Sequence, residues 1–76
     1  MNLTAATLGE QIPILRKKAG LSQEDLAQLA GLSRTAIQGV ESGKDSVQLD
    51  TLFKVCHVLN IHLSFHHSLI QEDRVK

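Results

Sequence analysis

Two helix start signals that lie eleven positions apart, at Ser22 and Ser33, constrain the fold of this chain more than any other feature. Serine is a favoured N-cap residue, and Asp25 completes a capping arrangement with Ser22. Each cap also lies inside a hydrophobic staple, formed by Leu21 with Leu26 and by Leu32 with Ile37. Because so little chain separates the two signals, they predict two short helices joined by a turn of about three residues.

Gly31 lies in this predicted turn, where a glycine supplies the positive φ that a sharp bend requires. Two helices joined in this way form a helix-turn-helix, whose second helix enters the major groove of DNA. The central part of the chain therefore predicts a device that reads double-stranded DNA.

Apolar residues at helical spacing predict one helix before the motif and one after it. The first helix runs up to Ala19 and closes at Gly20, with Pro13 marking either a nearby start or a bend. The last helix covers residues 49–59 and stops at Asn60. We therefore expect an all-α, four-helix domain spanning residues 1–76, with its helical core at 5–59 and a short tail at 70–76.

The period of the sequence changes at residues 61–67, where apolar and polar residues alternate as in a β-strand. The apolar positions of this segment are Ile61, Leu63 and Phe65. A lone strand leaves its backbone groups unpaired, so we expect it to pair with the same strand of a second molecule. The prediction is a homodimer held by an intermolecular two-stranded sheet, and the alternative is a fifth helix or a frayed tail.

Composition excludes several other classes of protein. Eight basic and eight acidic residues give no net charge, which disfavours strong nonspecific binding of nucleic acid. Two phenylalanines and no Tyr or Trp disfavour stacking on single-stranded bases. Apolar runs are too short for a membrane span, and the N-terminus lacks the blocks of a signal peptide, so we expect a cytoplasmic protein.

The second helix of the motif carries the residues that we expect to read bases, namely Ser33, Arg34, Thr35 and Gln38. An arginine fork suits guanine, a glutamine amide suits adenine, and a threonine suits a thymine methyl group. Gly39 costs this helix about 1 kcal/mol relative to alanine, and close approach of the backbone to DNA is one compensation. The alternative for all of these residues is an ordinary solvated surface.

A second set of residues is expected to bind phosphates and so to position the protein: Gln23, Arg16, Lys17, Ser42 and Lys44. Arg16 has a competing role, because Glu41 can pair with it across the first and third helices. We consider this structural ion pair the better interpretation of Arg16.

Residues whose side chains could bind a metal or take part in catalysis have simpler interpretations. His62 and His66 of one strand lie about 13 Å apart at strand rise, too far to share an ion, so no metal or other cofactor is expected. Cys56 lies on an apolar helical stripe and is expected to pack. No nucleophile–base motif is present, so no enzymatic activity is expected.

The segment LSQEDLAQLAGLSRTAIQGVESGK resembles the helix-turn-helix of the phage-repressor class, also called the Cro/C1 or XRE family, over about Leu8 to Leu59. The resemblance implies that Gln23 contacts a phosphate and supports the recognition helix, and that Arg16 pairs with Glu41. The helix LDTLFKVCHVLN followed by IHLSFHH resembles HipB-type antitoxins. That resemblance implies a dimer with a shared β-lid, a HipA-like kinase toxin as partner, and repression of its own operon.

These observations lead to one expected function and two alternatives. We expect a homodimeric repressor whose two recognition helices enter successive major grooves, about 34 Å apart, on a palindromic operator. One alternative is a stand-alone or phage-type regulator without a toxin. The other is an adaptor that uses the same fold to bind proteins only.

Overall fold

The computed structural model describes residues 4–64, which form four helices. Their bounds are α1 Ala5–Lys18, α2 Gln23–Ala30, α3 Arg34–Glu41 and α4 Leu49–Val58. Helices α2 and α3 are the two arms of the predicted helix-turn-helix. The four-helix, all-α class expected from the sequence is thus confirmed.

Helix α1 begins at Ala5, where the predicted helical core begins, because a capping box forms at Thr4. The Thr7 backbone N–H donates to Thr4 Oγ1 over 3.1 Å, and the Thr4 N–H donates to Thr7 Oγ1 over 2.9 Å. Pro13 lies inside the helix, so a start immediately before it is wrong. Because proline has no backbone N–H, the helix lacks one hydrogen bond at this position, and the hydrogen bonds of the neighbouring residues maintain it.

Both start signals of the helix-turn-helix are confirmed. Ser22 Oγ accepts from the Asp25 backbone N–H, and an Asp25 carboxylate oxygen accepts from the Ser22 N–H, each over 3.0 Å. The latter bond lowers the pKa of the exposed Asp25 carboxyl below its ordinary value. At α3, Ser33 Oγ accepts from the Ala36 N–H over 3.1 Å. Gly31 between the helices has the expected left-handed conformation, with φ 70°.

The core receives one fully buried side chain from each helix: Ile12, Leu26, Ile37 and Val55. Leu8, Ala27 and Val40 complete the buried cluster around them. Because α2 and α3 both pack on the same core, their relative orientation is fixed by side chains far from their exposed faces. Cys56 is buried, as expected, and burial raises the pKa of its thiol.

Helix α1 approaches α3 closely enough that two glycines are required at their contact. A Cβ on Gly9 would lie 2.6 Å from the Val40 carbonyl oxygen, and a Cβ on Gly43 would lie 2.8 Å from Ala6 Cα. Both distances are shorter than real Cβ contacts. This contact therefore brings the C-terminal end of α3 against the N-terminal half of α1.

Helix α4 ends at Val58, and Asn60 follows it with φ 59°, which confirms the predicted stop. The Ile61 N–H then donates to the Cys56 carbonyl over 2.8 Å, and its side chain packs on the core. Residues 61–64 form no strand within residues 4–64, where no partner strand is available to them. Phe65, the rest of the predicted strand and the 70–76 tail lie outside the described residues, so the intermolecular sheet stays a prediction. Among the described helices, none has the length and apolar character needed to cross a membrane.

Candidate nucleic-acid interface

The residues expected to read bases lie together on one exposed face of the molecule. Ser33, Arg34, Thr35 and Gln38 are all exposed. Ile37, at 0% exposure, and Val40, at 3%, place the opposite face of α3 in the core. The structure therefore presents the predicted reading face to solvent, although base contact itself stays a prediction.

Arg34, the first residue of α3, has a single polar partner within residues 4–64. Its Nε donates to Gln23 Oε1 over 3.4 Å, a long and therefore weak hydrogen bond. Among the described residues, none accepts a hydrogen bond from its terminal nitrogens, Nη1 and Nη2. These two nitrogens form the planar fork that matches the N7 and O6 acceptors of guanine.

Arg16 forms a nearly buried ion pair with Glu41, which ties α1 to the last residue of α3. Its Nε donates to Glu41 Oε2 over 2.7 Å, and its Nη2 donates to Glu41 Oε1 over 3.3 Å. Its Nη1 donates to the Leu21 carbonyl over 2.9 Å, and the residue is 8% exposed. A guanidinium with three engaged nitrogens and so little exposure is poorly placed to reach a phosphate. The geometry thus favours the structural ion pair over a phosphate contact by Arg16, and the phosphate contact stays a prediction.

The electrostatics of Glu41 agree with this pairing. Burial raises the pKa of the Glu41 carboxyl, but hydrogen bonds from Arg16 and Gln23 and the charge of Arg16 outweigh it. The net effect lowers the pKa below its ordinary value, so Glu41 is charged at neutral pH. Lys17 contributes a further, smaller lowering, which places its charge near the same carboxylate.

Gln23 connects the ion pair to the reading face. Its Nε2 donates to Glu41 Oε1 over 3.0 Å, while its Oε1 accepts from Arg34. A continuous chain of hydrogen bonds thus runs from Arg16 through Glu41 and Gln23 to Arg34. An amide nitrogen carries two N–H groups, so Gln23 keeps one donor for the phosphate contact expected of it.

The remaining phosphate candidates, Lys17, Ser42 and Lys44, are exposed. Ser42 Oγ donates to the Gly39 carbonyl over 3.0 Å. A hydroxyl has one proton to donate, so Ser42 must break this bond to donate to a phosphate. Lys17 and Lys44 carry no such constraint, and all three assignments stay predictions.

Gly39 lies near the reading face with little around it. A Cβ at this position would have Val47 Cγ2, at 3.9 Å, as its nearest neighbour. Packing within residues 4–64 therefore does not require a glycine here. The expectation that DNA approaches the backbone at Gly39 is still open.

A second exposed surface is apolar, and of its residues the sequence patterns singled out Leu63 alone. Leu29, Phe53 and Leu63 are 63%, 52% and 42% exposed, and we call them the apolar patch. Phe53 and His57 line both a groove against Leu29 on α2 and a groove against Leu63. Leu29 and Phe53 are large apolar residues that lie off the buried stripes of their helices. This position is the sequence signal that could have revealed the patch.

Comparison with known proteins places this geometry in a family. Residues 14–66 match the Helix-turn-helix family. The transcriptional regulator PuuR of Escherichia coli K12 is 38% identical over 56 residues, covering 74% of this chain and 30% of PuuR. The immunity repressor of Bacillus phage phi105 is 33% identical over 73 residues, covering 92% of this chain and 51% of the repressor. The chain therefore spans about half or less of the length of these two relatives.

Solved structures resemble this fold closely. HipB in a HipA-HipB-O2-O3 complex has a TM-score of 0.79 at 22% identity, covering 90% of this chain and 96% of that one. The restriction-modification controller protein C.AhdI of Aeromonas hydrophila has a TM-score of 0.67 at 40% identity, covering 76% and 88%. The chain belongs to the helix-turn-helix family of DNA-binding transcriptional regulators, in the phage-repressor class also called Cro/C1 or XRE.

Proposed function

We propose that this chain is a repressor that binds a palindromic operator as a homodimer, and that it is the antitoxin of an operon encoding a HipA-like kinase. The observation that carries the proposal is the face of α3 on which Arg34, Thr35 and Gln38 are exposed to solvent. Polar side chains of these types, at the start of a recognition helix, suit the edges of bases in the major groove.

Base reading is assigned to four side chains of the α3 face. The Arg34 fork binds guanine, the Gln38 amide binds adenine, and Thr35 contacts a thymine methyl group or donates a hydrogen bond. Ser33 Oγ already accepts from the Ala36 N–H but keeps its own proton to donate. These contacts supply the sequence specificity, and they carry more of the affinity in a chain without net charge, whose nonspecific attraction to DNA is weak.

Phosphate contacts position α3 in the groove. Lys17 and Lys44 supply charge, and the remaining Gln23 N–H lies at the start of α2, where the helix dipole favours an anion. Ser42 adds a contact if its bond to Gly39 opens. Such contacts fix the orientation of the protein without distinguishing sequences.

The apolar patch supports the proposal of a homodimer. Ile61, Leu63 and Phe65 are the apolar positions of the proposed dimerisation strand, and Leu63 belongs to the patch. A second copy that pairs along residues 61–67 would also cover Phe53 on the adjoining helix. Exposed apolar patches of this kind commonly mark interaction sites.

The antitoxin role rests on the similarity to HipB in fold and on the resemblance of LDTLFKVCHVLN followed by IHLSFHH to HipB-type antitoxins. HipB occurs in a complex with HipA, which motivates a kinase-like toxin as the partner of this chain. A pull-down with the tagged chain, followed by mass spectrometry, tests this part of the proposal. Recovery of a kinase-like protein supports it, and recovery of no kinase-like protein leaves a regulator without a toxin.

DNA binding is tested by selecting duplexes from a randomised library, followed by a gel shift with DNA from upstream of the gene. Enrichment of a palindrome that also occurs upstream supports an autoregulating repressor. If no sequence is enriched while the chain still captures a protein, the fold serves as a protein-binding adaptor, which the apolar patch and the zero net charge would then explain.

A further inference from the structure

Arg34 is connected to a carboxylate at the far end of its own helix through a side chain of another helix. Glu41 Oε1 accepts from Gln23 Nε2 over 3.0 Å, and Gln23 Oε1 accepts from Arg34 Nε over 3.4 Å. On the basis of the DNA-binding function proposed above, we propose that Glu41 is a positioning residue for base reading. It acts through Gln23 to hold Arg34 in the orientation that binds guanine.

The chemistry of the three groups dictates which way the Gln23 amide points. A carboxylate is only an acceptor, and a guanidinium is only a donor. Between them, the amide must turn its nitrogen to Glu41 and its oxygen to Arg34. The reversed amide would set two acceptors against each other at Glu41 and two donors against each other at Arg34. The charge of Glu41 thereby decides that an acceptor faces Arg34.

The acceptor on Gln23 decides in turn which edge of Arg34 is left for DNA. A guanidinium can bind a base through its terminal Nη1 and Nη2 or through the side that includes Nε. Because Gln23 engages Nε, the terminal fork is the edge that stays available. Arg34 is exposed and its bond to Gln23 is long, so without this restraint the side chain would sample many rotamers. Holding one edge outward reduces the entropy lost when the fork binds guanine.

We call the hydrogen-bonded series from Glu41 through Gln23 to Arg34 the relay. It is held more firmly at Glu41 than at Arg34. Glu41 is held by Arg16 at 2.7 Å, with both side chains 10% exposed. Glu41 is therefore fixed by α1 on one side and presents its Oε1 to Gln23 on the other. A structural role for the Arg16–Glu41 pair alone would affect stability but not the choice between bases.

The test measures base discrimination rather than affinity. The wild-type chain first selects duplexes from a randomised library, and Arg34→Ala identifies the G·C pair that Arg34 reads. The readout is the ratio of two Kd values, one for the selected duplex and one for the duplex with that pair changed to A·T. The folded fraction of a preparation cancels in this ratio, so a loss of stability alone leaves it unchanged.

Three variants are compared by this ratio. Glu41→Gln removes the charge, and we expect it to lower discrimination at least about threefold, out of the roughly 5- to 150-fold that a bidentate contact supplies. Val55→Ala, in the buried core of α4, destabilises the fold without touching the relay and should leave the ratio unchanged. The double variant Gln23→Glu with Glu41→Gln puts an acceptor-only group beside Arg34 again and should restore discrimination.

Each possible result either supports or overturns the positioning role of Glu41. A Glu41→Gln ratio equal to that of the wild type, with wild-type binding intact, overturns the positioning role and leaves the proposed function standing. A ratio that falls equally in Val55→Ala also overturns it. If Glu41→Gln does not fold, Gln23→Ala, which removes the link between Glu41 and Arg34, is compared with the wild type, and an unchanged ratio overturns the relay. If the wild type selects no sequence, the proposed function fails and the positioning role fails with it.

Discussion

Arg16 and Glu41, which lie 25 residues apart in the chain, are joined by a 2.7 Å ion pair that fastens α1 to the end of the recognition helix. The pair is mostly buried, and Nη1 of Arg16 donates a further hydrogen bond to the Leu21 carbonyl, just before the α2 cap. One side chain therefore links α1 to the end of α3 and to the segment just before α2.

Breaking this pair should destabilise the fold strongly. Glu41→Ala leaves the Arg16 guanidinium buried without a counter-charge, and we expect the free energy of unfolding to fall by about 3 kcal/mol. Replacing both partners together, as Arg16→Met with Glu41→Leu, removes the stranded charge and should cost less than the single change. Urea unfolding followed by circular dichroism measures both. A double variant less stable than Glu41→Ala would contradict this account of the pair.

Acid should weaken the fold through the same carboxylate. Hydrogen bonds and the charge of Arg16 outweigh burial and place the pKa of Glu41 below its ordinary value of 4.5. Its stabilisation is therefore fully present above that value and is lost as pH falls through the lower, folded-state pKa. We expect the urea midpoint of the wild type to decline in this acid range. Glu41→Gln should decline less steeply, and its remaining dependence includes the lowered pKa of Asp25.

The turn of the motif can be tested at Gly31. A Cβ at this position would meet nothing within 4 Å, so any loss of stability comes from φ 70° alone. We expect Gly31→Ala to lower the free energy of unfolding by about 1 kcal/mol, because alanine avoids the left-handed region. Gly31→Asn is the matched control, since asparagine tolerates that region, and it should lose less. Equal losses in thermal unfolding would show that the backbone conformation is not the cause.

The apolar patch predicts how the chain self-associates. Phe53→Ser and Leu63→Ser each remove an apolar side chain from the proposed interface, so both should shift the protein toward monomer in analytical ultracentrifugation. Ile14→Ser is the control, because Ile14 is 48% exposed on α1 and lies outside both patch grooves. A dimer that survives both patch changes, or one that Ile14→Ser also disrupts, contradicts an interface at the patch.

Local features of this fold were readable from the sequence because they involve residues close together in the chain. The caps at Ser22 and Ser33 bond to backbone three residues away, and Gly31 and Asn60 mark helix ends by their own φ. The exposed side of α3 followed from helical spacing once Ile37 and Val40 were placed in the core. The capping box at Thr4 was missed because Thr7 is an unusual third residue for such a box.

The relay and the patch depend on tertiary placement, which short-range patterns do not contain. The Arg16–Glu41 pair was one of two interpretations, and only the fold shows that the guanidinium is nearly buried. The bond from Gln23 to Glu41 spans 18 residues and the bond to Arg34 spans 11, so neither follows from helical spacing. The patch forms because the end of α2 lies beside α4, a packing that apolar periodicity leaves undetermined.

The central claim, that the exposed face of α3 reads bases in the major groove, is tested most directly by Arg34→Ala and Lys44→Ala on the duplex that the wild type selects. We expect Arg34→Ala to cost about 1–3 kcal/mol of binding free energy and to relax preference at one base pair of each half-site. Lys44→Ala should weaken binding to all sequences alike and reduce the salt dependence by about one phosphate contact. Unchanged affinity and unchanged base preference in Arg34→Ala would contradict the account.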